Sequence, residues 1–278
     1  NELPFTIARI DAADLQLGKM SRTTPEALKE IPAVLVQKTG HGQGSPFVRG
    51  FTGYHTLFLV DGVRLNNSTF RSGPNQYWST VDSFSYDRLE LLKGSASMQY
   101  GSDAVGGVAQ AVTADPFEAA GPDGFSARLH LRGASAERSL ASRLESAVAS
   151  GDVAFRAGVT LRDYGDLESG GSAGRLRKTG YDEWAADAGL ALRLSEQWRL
   201  DAVHQTLEQD DAWRTHGTPF AKSFRGTKVG SDKARILDQT RHLTYARLSG
   251  EDLTGALTDA SVTLSLQQQY EREFRVRK

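Results

Sequence analysis

The second half of the 278-residue chain alternates apolar and polar side chains with a period of two. The clearest runs begin at Phe125, Val153, Trp184 and Val262, and looser alternation covers residues 140–150 and 239–249. A period of two over such lengths predicts β-strands that have one apolar and one polar face. The second half is therefore expected to form a sheet whose two faces meet different surroundings.

The connections between these predicted strands alternate in length. Gly151-Asp152 and Ser195-Glu196 are typical of tight turns, whereas residues 165–182 and 210–238 form much longer stretches. Short turns at one end and long loops at the other are typical of outer-membrane β-barrels. The alternation alone is equally typical of an antiparallel sandwich in water, so it leaves a barrel and a sandwich open.

Composition and motifs exclude several classes of function. The 33 basic and 34 acidic residues leave a net charge of −1, which gives no electrostatic case for nucleic-acid binding. The absence of cysteine excludes disulfides and thiolate metal sites. No phosphate loop, zinc-binding His-Glu motif or nucleophile elbow is present, so no catalytic residue is predicted. We expect Asp210, Asp211 and Asp232 to lie in a long solvated loop.

The first half has a different texture, with short helical and short apolar segments. Thr24-Pro25-Glu26 predicts the start of a helix that ends before Pro32. Further predicted elements are strands over 33–38, 56–60, 88–93 and 108–113, and a helical turn over 95–100 between an N-cap at Ser95 and a stop at Gly101. Residues 114–124 are a connector rich in proline, glycine and alanine. The chain thus divides into an α+β domain over 1–116 and a strand-rich part over 117–278.

Three stretches of the first domain resemble the plug domain of TonB-dependent outer-membrane receptors. The first combines residues 24–34 with Phe47-Val48-Arg49-Gly50-Phe51. The second is Thr56-Leu57-Phe58-Leu59-Val60-Asp61-Gly62-Val63-Arg64-Leu65. The third joins Asp87-Arg88-Leu89-Glu90-Leu91-Leu92-Lys93-Gly94 to residues 99–108. Their order and spacing also resemble those of the family.

The resemblance implies a fold and a function. The fold would be an α+β plug domain followed by the N-terminal portion of an antiparallel transmembrane β-barrel, with about seven of twenty-two strands present. The expected function is TonB-dependent active import of a ferric siderophore, haem or cobalamin across the bacterial outer membrane, leaning slightly toward iron or haem. The expected partners are the TonB complex, the ligand and membrane lipid, with no cofactor. No TonB-box-like segment is visible before Ile10, so we expect a fragment that does not transport alone.

The resemblance also implies roles for particular residues. Residues expected to reach the ligand at the plug apex are His41, Gln43, Phe70, Arg71, Asn75, Gln76, Tyr77 and Trp78. Residues expected to lock the plug to the barrel are Arg49, Glu90 and Lys93. Residues of the plug's structural motif are Gly50, Asp61, Gly62, Gly94, Tyr100, Gly101, Gly106 and Gly107. His41 is also a candidate haem ligand, although a lone loop histidine is more often not a ligand, and no metal ligand is predicted.

Two functions of other classes remain open on the residues alone. A soluble β-rich binding or adhesion module would use the apolar strand faces as a sandwich core. A glycan-active or hydrolytic enzyme would need a cleft with two carboxylates about 5–10 Å apart.

Overall fold

The computed structural model describes residues 6–278 except 20, 70–72, 75, 171–173, 224, 225, 227 and 254–256. It contains a five-stranded sheet in the first half and a seven-stranded sheet in the second, with two small two-stranded sheets. None of the helices in the described ranges is both long and apolar enough to span a membrane.

The first half forms the plug, a compact α+β unit. Its strands are β1 (Thr6–Asp11), β2 (Val34–Gln37), β3 (Ser45–Val48), β4 (Thr56–Val60), β5 (Val63–Arg64), β6 (Tyr86–Lys93) and β7 (Gly107–Thr113). Its α-helices are α1 (Thr24–Ala27) and α2 (Ser97–Tyr100), with a π-helical turn over Asp14–Lys19 and 3₁₀ turns over Leu28–Glu30, Gly53–His55 and Tyr77–Thr80. The strand order of the main sheet is β1-β6-β7-β4-β5.

A tight turn joins β4 to β5 at the position that the sequence predicts. Asp61 and Gly62 have φ angles of 49° and 77°, as a two-residue hairpin turn with positive φ at both positions requires. The Asp61 carboxylate accepts a hydrogen bond of 2.8 Å from the Thr113 backbone N–H, which fastens the turn to β7.

Two local predictions differ from the structure. Helix α2 begins at Ser97 with Ala96 at its N-cap, so Ser95 does not cap it, although Gly101 ends it with a φ of 81°. The connector contains a short helix, α3 (Pro116–Ala120), which the composition of residues 114–124 does not predict. The carboxylate of Asp115 caps α3 because it accepts from the Phe117 backbone N–H at 2.8 Å, and proline suits the first helical turn.

The second half forms the wall sheet, in which every pair of neighbouring strands is antiparallel. Its strands are β8 (Phe125–Ala134), β9 (Ser139–Ser150), β10 (Val153–Tyr164), β13 (Tyr181–Arg193), β14 (Trp198–Trp213), β15 (Ala234–Gly250) and β16 (Ala260–Val276). A small hairpin, β11 (Leu167–Ser169) and β12 (Gly174–Leu176), lies between β10 and β13, and a 3₁₀ turn covers Thr215–Gly217. The order β16-β15-β14-β13-β10-β9-β8 follows the chain, as in a meander.

The expectation that Asp210 and Asp211 lie in a loop is wrong. Both belong to β14, where the register with β15 shifts between Gln209 and Ala212. The shift is a β-bulge, and Asp211 adopts a φ of 56° there, a conformation that aspartate tolerates better than most residues. Asp232 does lie in the connection that follows, but it is 7% exposed and forms an ion pair of 2.9 Å with Arg275, so it is not solvated as expected.

The two faces of the wall sheet have opposite surroundings. Large apolar side chains on one face are exposed, for example Leu129 at 63% and Leu161 at 56%. Polar side chains on the other face are buried against the plug, for example Arg143 at 2% and Arg162 at 4% exposed. A sandwich in water would bury the apolar face and expose the polar one, so the structure supports the barrel-wall interpretation.

Candidate functional site

A buried ionic network joins the plug to the wall. Its centre is Asp82, which follows the 3₁₀ turn Tyr77–Thr80 of the plug and is 6% exposed. Its carboxylate forms an ion pair with Arg162 of β10 and accepts a hydrogen bond of 2.7 Å from the hydroxyl of Thr160. A second guanidinium, that of Arg143 on β9, lies 3.6 Å away. One plug carboxylate therefore faces two wall arginines.

The network continues along the wall in alternating charges. Arg162 also pairs with Glu183 of β13 at 2.5 Å. Asp187 lies on the same face of β13, four residues after Glu183, and its carboxylate contacts Arg143 at 2.8 Å and Arg156 at 2.7 Å. Three buried arginines thus face three buried carboxylates, and the half-exposed Glu145 borders them at 2.8 Å from Arg143.

The charges of this network depend on one another. Burial alone would raise the pKa of Asp82, but the guanidinium groups of Arg162 and Arg143 outweigh it and hold the pKa below its usual range. Removing one member of a buried ion pair costs about 3–5 kcal/mol, because the remaining charge stays buried without compensation. The network can therefore hold this segment of the plug firmly, and removal of the Asp82 carboxylate would leave the wall arginines without their partner in the plug.

The predicted apical stretch around Gly40 and Gly42 lies at the end of the wall where the longer connections emerge. A Cβ atom on Gly40 would overlap the carbonyl oxygen of Trp213, and one on Gly42 would lie 2.9 Å from the ring of Tyr181. The Gln209 side-chain amide donates to the carbonyl of Gly42 at 3.1 Å. Glycine at these positions permits the plug backbone to approach the wall strands closely.

His41 is buried beside Glu137 of the β8–β9 turn. Its Nε2 atom lies 3.5 Å from the Glu137 carboxylate, which also pairs with Arg22 of the plug and, at 3.0 Å, with Arg132. Burial, together with the nearby charges of Arg22 and Lys38, lowers the pKa of His41 to about 4. The imidazole is therefore neutral near pH 7.

The other predicted apex residues that the structure describes are all buried. Gln43 is fully buried and donates to the carbonyl of Ala212 at 3.4 Å, and Gln76 donates to the Glu271 carboxylate at 2.9 Å. Tyr77 is 6% exposed, and Trp78 has no exposed surface. The Trp78 ring lies 4.7 Å from that of Phe58 in the plug core. Phe70, Arg71 and Asn75 lie outside the described residues. Ligand contact by these residues stays a prediction.

The predicted lock residues have described contacts within the plug. Arg49 is exposed at a φ of 52°, and its guanidinium lies beside Gly94. The Lys93 ammonium donates to the carbonyl of Pro32 at 3.4 Å, and Glu90 pairs with Arg88 at 2.7 Å. Their role in locking the plug to the barrel stays a prediction, as does the domain division at residue 116.

Sequence reasoning missed the wall contacts of Asp82. The positions of Arg156 and Arg162 on the polar face follow from the alternation, but no pattern in the plug distinguishes Asp82 from its other acidic residues.

The motif glycines adopt conformations or make close approaches that favour glycine. The angle φ is positive at Gly50, Gly62, Gly94 and Gly101, and at Gly106 and Gly107 an added Cβ would clash with Phe51 and Leu92. Tyr100 is 37% exposed beside them. Within the described ranges, no cluster of three His, Asp or Glu side chains could hold a metal ion.

Comparison with known proteins identifies the plug. Residues 1–108 match the TonB-dependent receptor plug domain family. The vitamin B12 transporter BtuB of Photobacterium profundum is 36% identical over 114 residues, which cover 38% of this chain and 18% of that protein. BtuB of Vibrio vulnificus is 37% identical over 91 residues, covering 32% and 14%.

Solved structures share the fold over nearly the whole chain. The FrpB iron transporter of Neisseria meningitidis superposes with a TM-score of 0.78 at 17% identity, covering 95% of this chain and 41% of that one. The ferric enterobactin receptor PfeA of Pseudomonas aeruginosa gives a TM-score of 0.65 at 17% identity, covering 98% and 42%. The chain thus spans less than half of these receptors.

These matches confirm the predicted resemblance to TonB-dependent receptors, the fold class and the location in the bacterial outer membrane, and the matched proteins are transporters and receptors. Residues 1–108 are thus similar to the plug domain of TonB-dependent receptors, and the chain as a whole has the fold of a plug with part of a barrel wall.

Proposed function

We propose that the receptor containing this chain imports a scarce, large ligand across the outer membrane by TonB-dependent active transport. The observation that carries the proposal is the orientation of the wall sheet. Its charged face encloses the plug, while its apolar face points outward, as in a barrel whose lumen is filled and whose outside meets lipid. The partners would be the TonB complex, the ligand and the surrounding lipid.

The interface between the plug and the wall suits a plug that is held firmly and that moves only when an external force pulls on it. Asp82 lies among buried arginines, Arg22 pairs with Glu137, and Arg247 donates to the carbonyl of Asp61. These contacts join separate plug segments to separate wall strands, so pulling on the plug would break them in succession. No bond of the ligand would be changed, and we propose no enzymatic activity.

The ligand class is a ferric siderophore, haem or cobalamin. The sequence relatives transport vitamin B12, whereas the superposed structures include an iron transporter and a ferric enterobactin receptor. We propose that His41, Gln43 and Gln76, with Phe70, Arg71, Asn75, Tyr77 and Trp78, respond to the ligand at the apex. Because the described members are buried, this contact would require the apex to open.

Uptake measurements test the proposal. A strain that lacks its own receptors would express the complete receptor and be supplied with labelled cobalamin, haem or ferric siderophores. We expect uptake of one ligand class in the presence of TonB and none in a matched strain without TonB. Uptake that is independent of TonB, or no uptake of any of these ligands, would contradict it.

A further inference from the structure

The outward face of the wall carries a group of polar side chains within its apolar surface. Gln205 of β14 and Leu243 of β15 face the plug and are 4% and 0% exposed. Because side chains alternate along a strand, the neighbouring side chains on these two strands point away from the plug. They form the outward polar patch, which consists of His204, Thr206, His242 and Thr244.

The outward polar patch lies between two aromatic borders of the wall. Trp198 begins β14 at the end of the wall where the tight turns lie. Toward the other end, one register row runs from Trp184 of β13 through Glu208 and Thr240 to Tyr270 of β16. Aromatic side chains of outer-membrane barrels border the hydrocarbon region of the membrane. The patch between these borders is therefore at the depth of the hydrocarbon.

The strands on both sides of the patch are apolar at this depth. Thr206 is in register with Ala186 of β13, which pairs with Val159 of β10. On the other side, Thr244 pairs with Leu266 of β16, which is 62% exposed. Polar groups are costly in hydrocarbon unless they have partners, so polar side chains at this depth indicate an interaction in the plane of the membrane.

Each imidazole of the patch uses one of its two nitrogens within the wall. The Nδ1 atom of His204 lies 2.8 Å from the Thr244 hydroxyl, and that of His242 lies 2.9 Å from the Thr206 hydroxyl. The two rings are stacked with their centres 6.4 Å apart. Among the residues that the structure describes, neither Nε2 atom has a hydrogen-bond partner. Both imidazoles can therefore bond to a group outside the wall.

We propose that the outward polar patch is the interface through which two copies of the receptor dimerise in the membrane. The inference rests on the proposed membrane setting of the wall. A neutral imidazole has one donor and one acceptor nitrogen, and a hydroxyl both donates and accepts, so the patch can hydrogen-bond to a second patch of the same composition. A second copy in the same membrane carries its patch at the same depth. A twofold axis along the membrane normal brings the two patches face to face.

Small side chains beside the patch permit two walls to approach each other. Ala186 and Ala188 of β13 adjoin it on one side, and Ala202 pairs with Ala246 next to it along β14 and β15. At helix interfaces in membranes, small residues let backbones approach closely while His and Thr side chains bond across the interface. The same reasons apply to two barrel walls. Since the second copy has matching polar groups at the matching depth, it is the partner that the patch favours.

The test is dimerisation of the complete receptor in lipid vesicles, measured by energy transfer between donor-labelled and acceptor-labelled copies. The variant His204→Leu/His242→Leu removes the imidazoles and leaves an apolar surface. The matched control is Ser142→Leu/Ser146→Leu on β9, where Ser142 pairs with the exposed Leu161 and so shares the outward face. We expect the histidine variant to dimerise about fiftyfold more weakly, since each of the four imidazoles of a dimer contributes about 2.7-fold. The control should dimerise like the wild type.

Photocrosslinking in intact cells locates the interface without changing the patch. Leu264 is 74% exposed on β16 and pairs with Ala246 beside the patch, whereas Leu129 is 63% exposed on β8 at the far edge of the wall sheet. A crosslinking residue at Leu264 should join two copies of the receptor, and one at Leu129 should not. This measurement does not depend on the folding of the histidine variant.

A monomeric wild-type receptor, or equal dimerisation of the wild type and the histidine variant, would overturn the proposal. Crosslinking of Leu264 to a different protein would also overturn it, because the patch would then serve another partner. The assays use neither TonB nor a transport ligand. Import by a monomeric receptor would therefore contradict dimerisation alone, and a dimer that fails to import would contradict the import proposal alone.

Discussion

Replacing Asp82 with asparagine should loosen the plug from the wall. The substitution preserves the shape of the side chain and removes the plug carboxylate that faces Arg162 and Arg143. Arg162 retains Glu183 at 2.5 Å and Arg143 retains Asp187 at 2.8 Å, so neither arginine loses all of its partners. The buried network nevertheless changes from three cations against three anions to three against two.

The expected cost lies at the low end for breaking a buried ion pair. Such a loss costs about 3–5 kcal/mol, and the asparagine oxygen can still accept the hydrogen bond from Thr160. We therefore expect a loss of about 3 kcal/mol, which is a rise of roughly a hundredfold in the population of plugs detached at this contact.

Amide hydrogen exchange in the complete receptor measures this population. Amides of residues 77–86 should exchange roughly a hundredfold faster in Asp82→Asn, while amides of the outer wall strands should change little. Asp87→Asn is the matched control, because the Asp87 side chain is 46% exposed and is 3.8 Å from Arg88 rather than in the network. Equal exchange in the two variants would refute the assignment of Asp82 as a plug–wall anchor.

Three further predictions follow from the same interface. Burial and the nearby charges of Arg22 and Lys38 lower the pKa of His41 to about 4, so between pH 6.5 and 4 the unfolded state binds a proton that the folded state does not. The stability of the apex should therefore decrease as the pH falls through that window, and His41→Gln should abolish this component in a denaturation series. The pKa of Asp82 is lowered in the folded state, so its contribution to stability is fully present above its unfolded pKa near 4 and should be lost only as the pH falls further. A pH series of Asp82→Asn that still shows the wild-type acid transition below pH 4 would contradict this. Gly40→Ala should lower stability by about 1–3 kcal/mol through overlap with Trp213, whereas Gly170→Ala, which meets nothing within 4 Å, should be nearly neutral in the same melt.

The sequence predicts the wall well because its signal is local. Alternation is a property of neighbouring residues, so it places Arg156 and Arg162 on one face and Leu161 on the other before any tertiary contact is known. It does not reveal the bulge at Asp211, since a single positive φ leaves no mark on the hydrophobic pattern. The cap and proline of α3 were present in Asp115-Pro116, but a composition rich in glycine and alanine suggested a connector.

The site is less predictable because its contacts are distant in sequence. Asp82 and Arg162 are 80 residues apart, and His41 and Glu137 come from different domains. The aromatic character of Tyr77 and Trp78 fits a ligand surface and a plug core equally well, and only the packing of Trp78 on Phe58 shows that its ring lies in the core.

Spin-label accessibility tests the orientation of the wall most directly. A label is placed in the complete receptor in bilayers at Leu144 or Leu161, on the exposed apolar face, or at Arg128, whose side chain is 64% exposed on the opposite face. Labels at Leu144 and Leu161 should collide with dissolved oxygen and remain shielded from a water-soluble nickel chelate, whereas a label at Arg128 should show the reverse. Ready access of the nickel chelate to Leu144 and Leu161 would place the apolar face in water and contradict the import account.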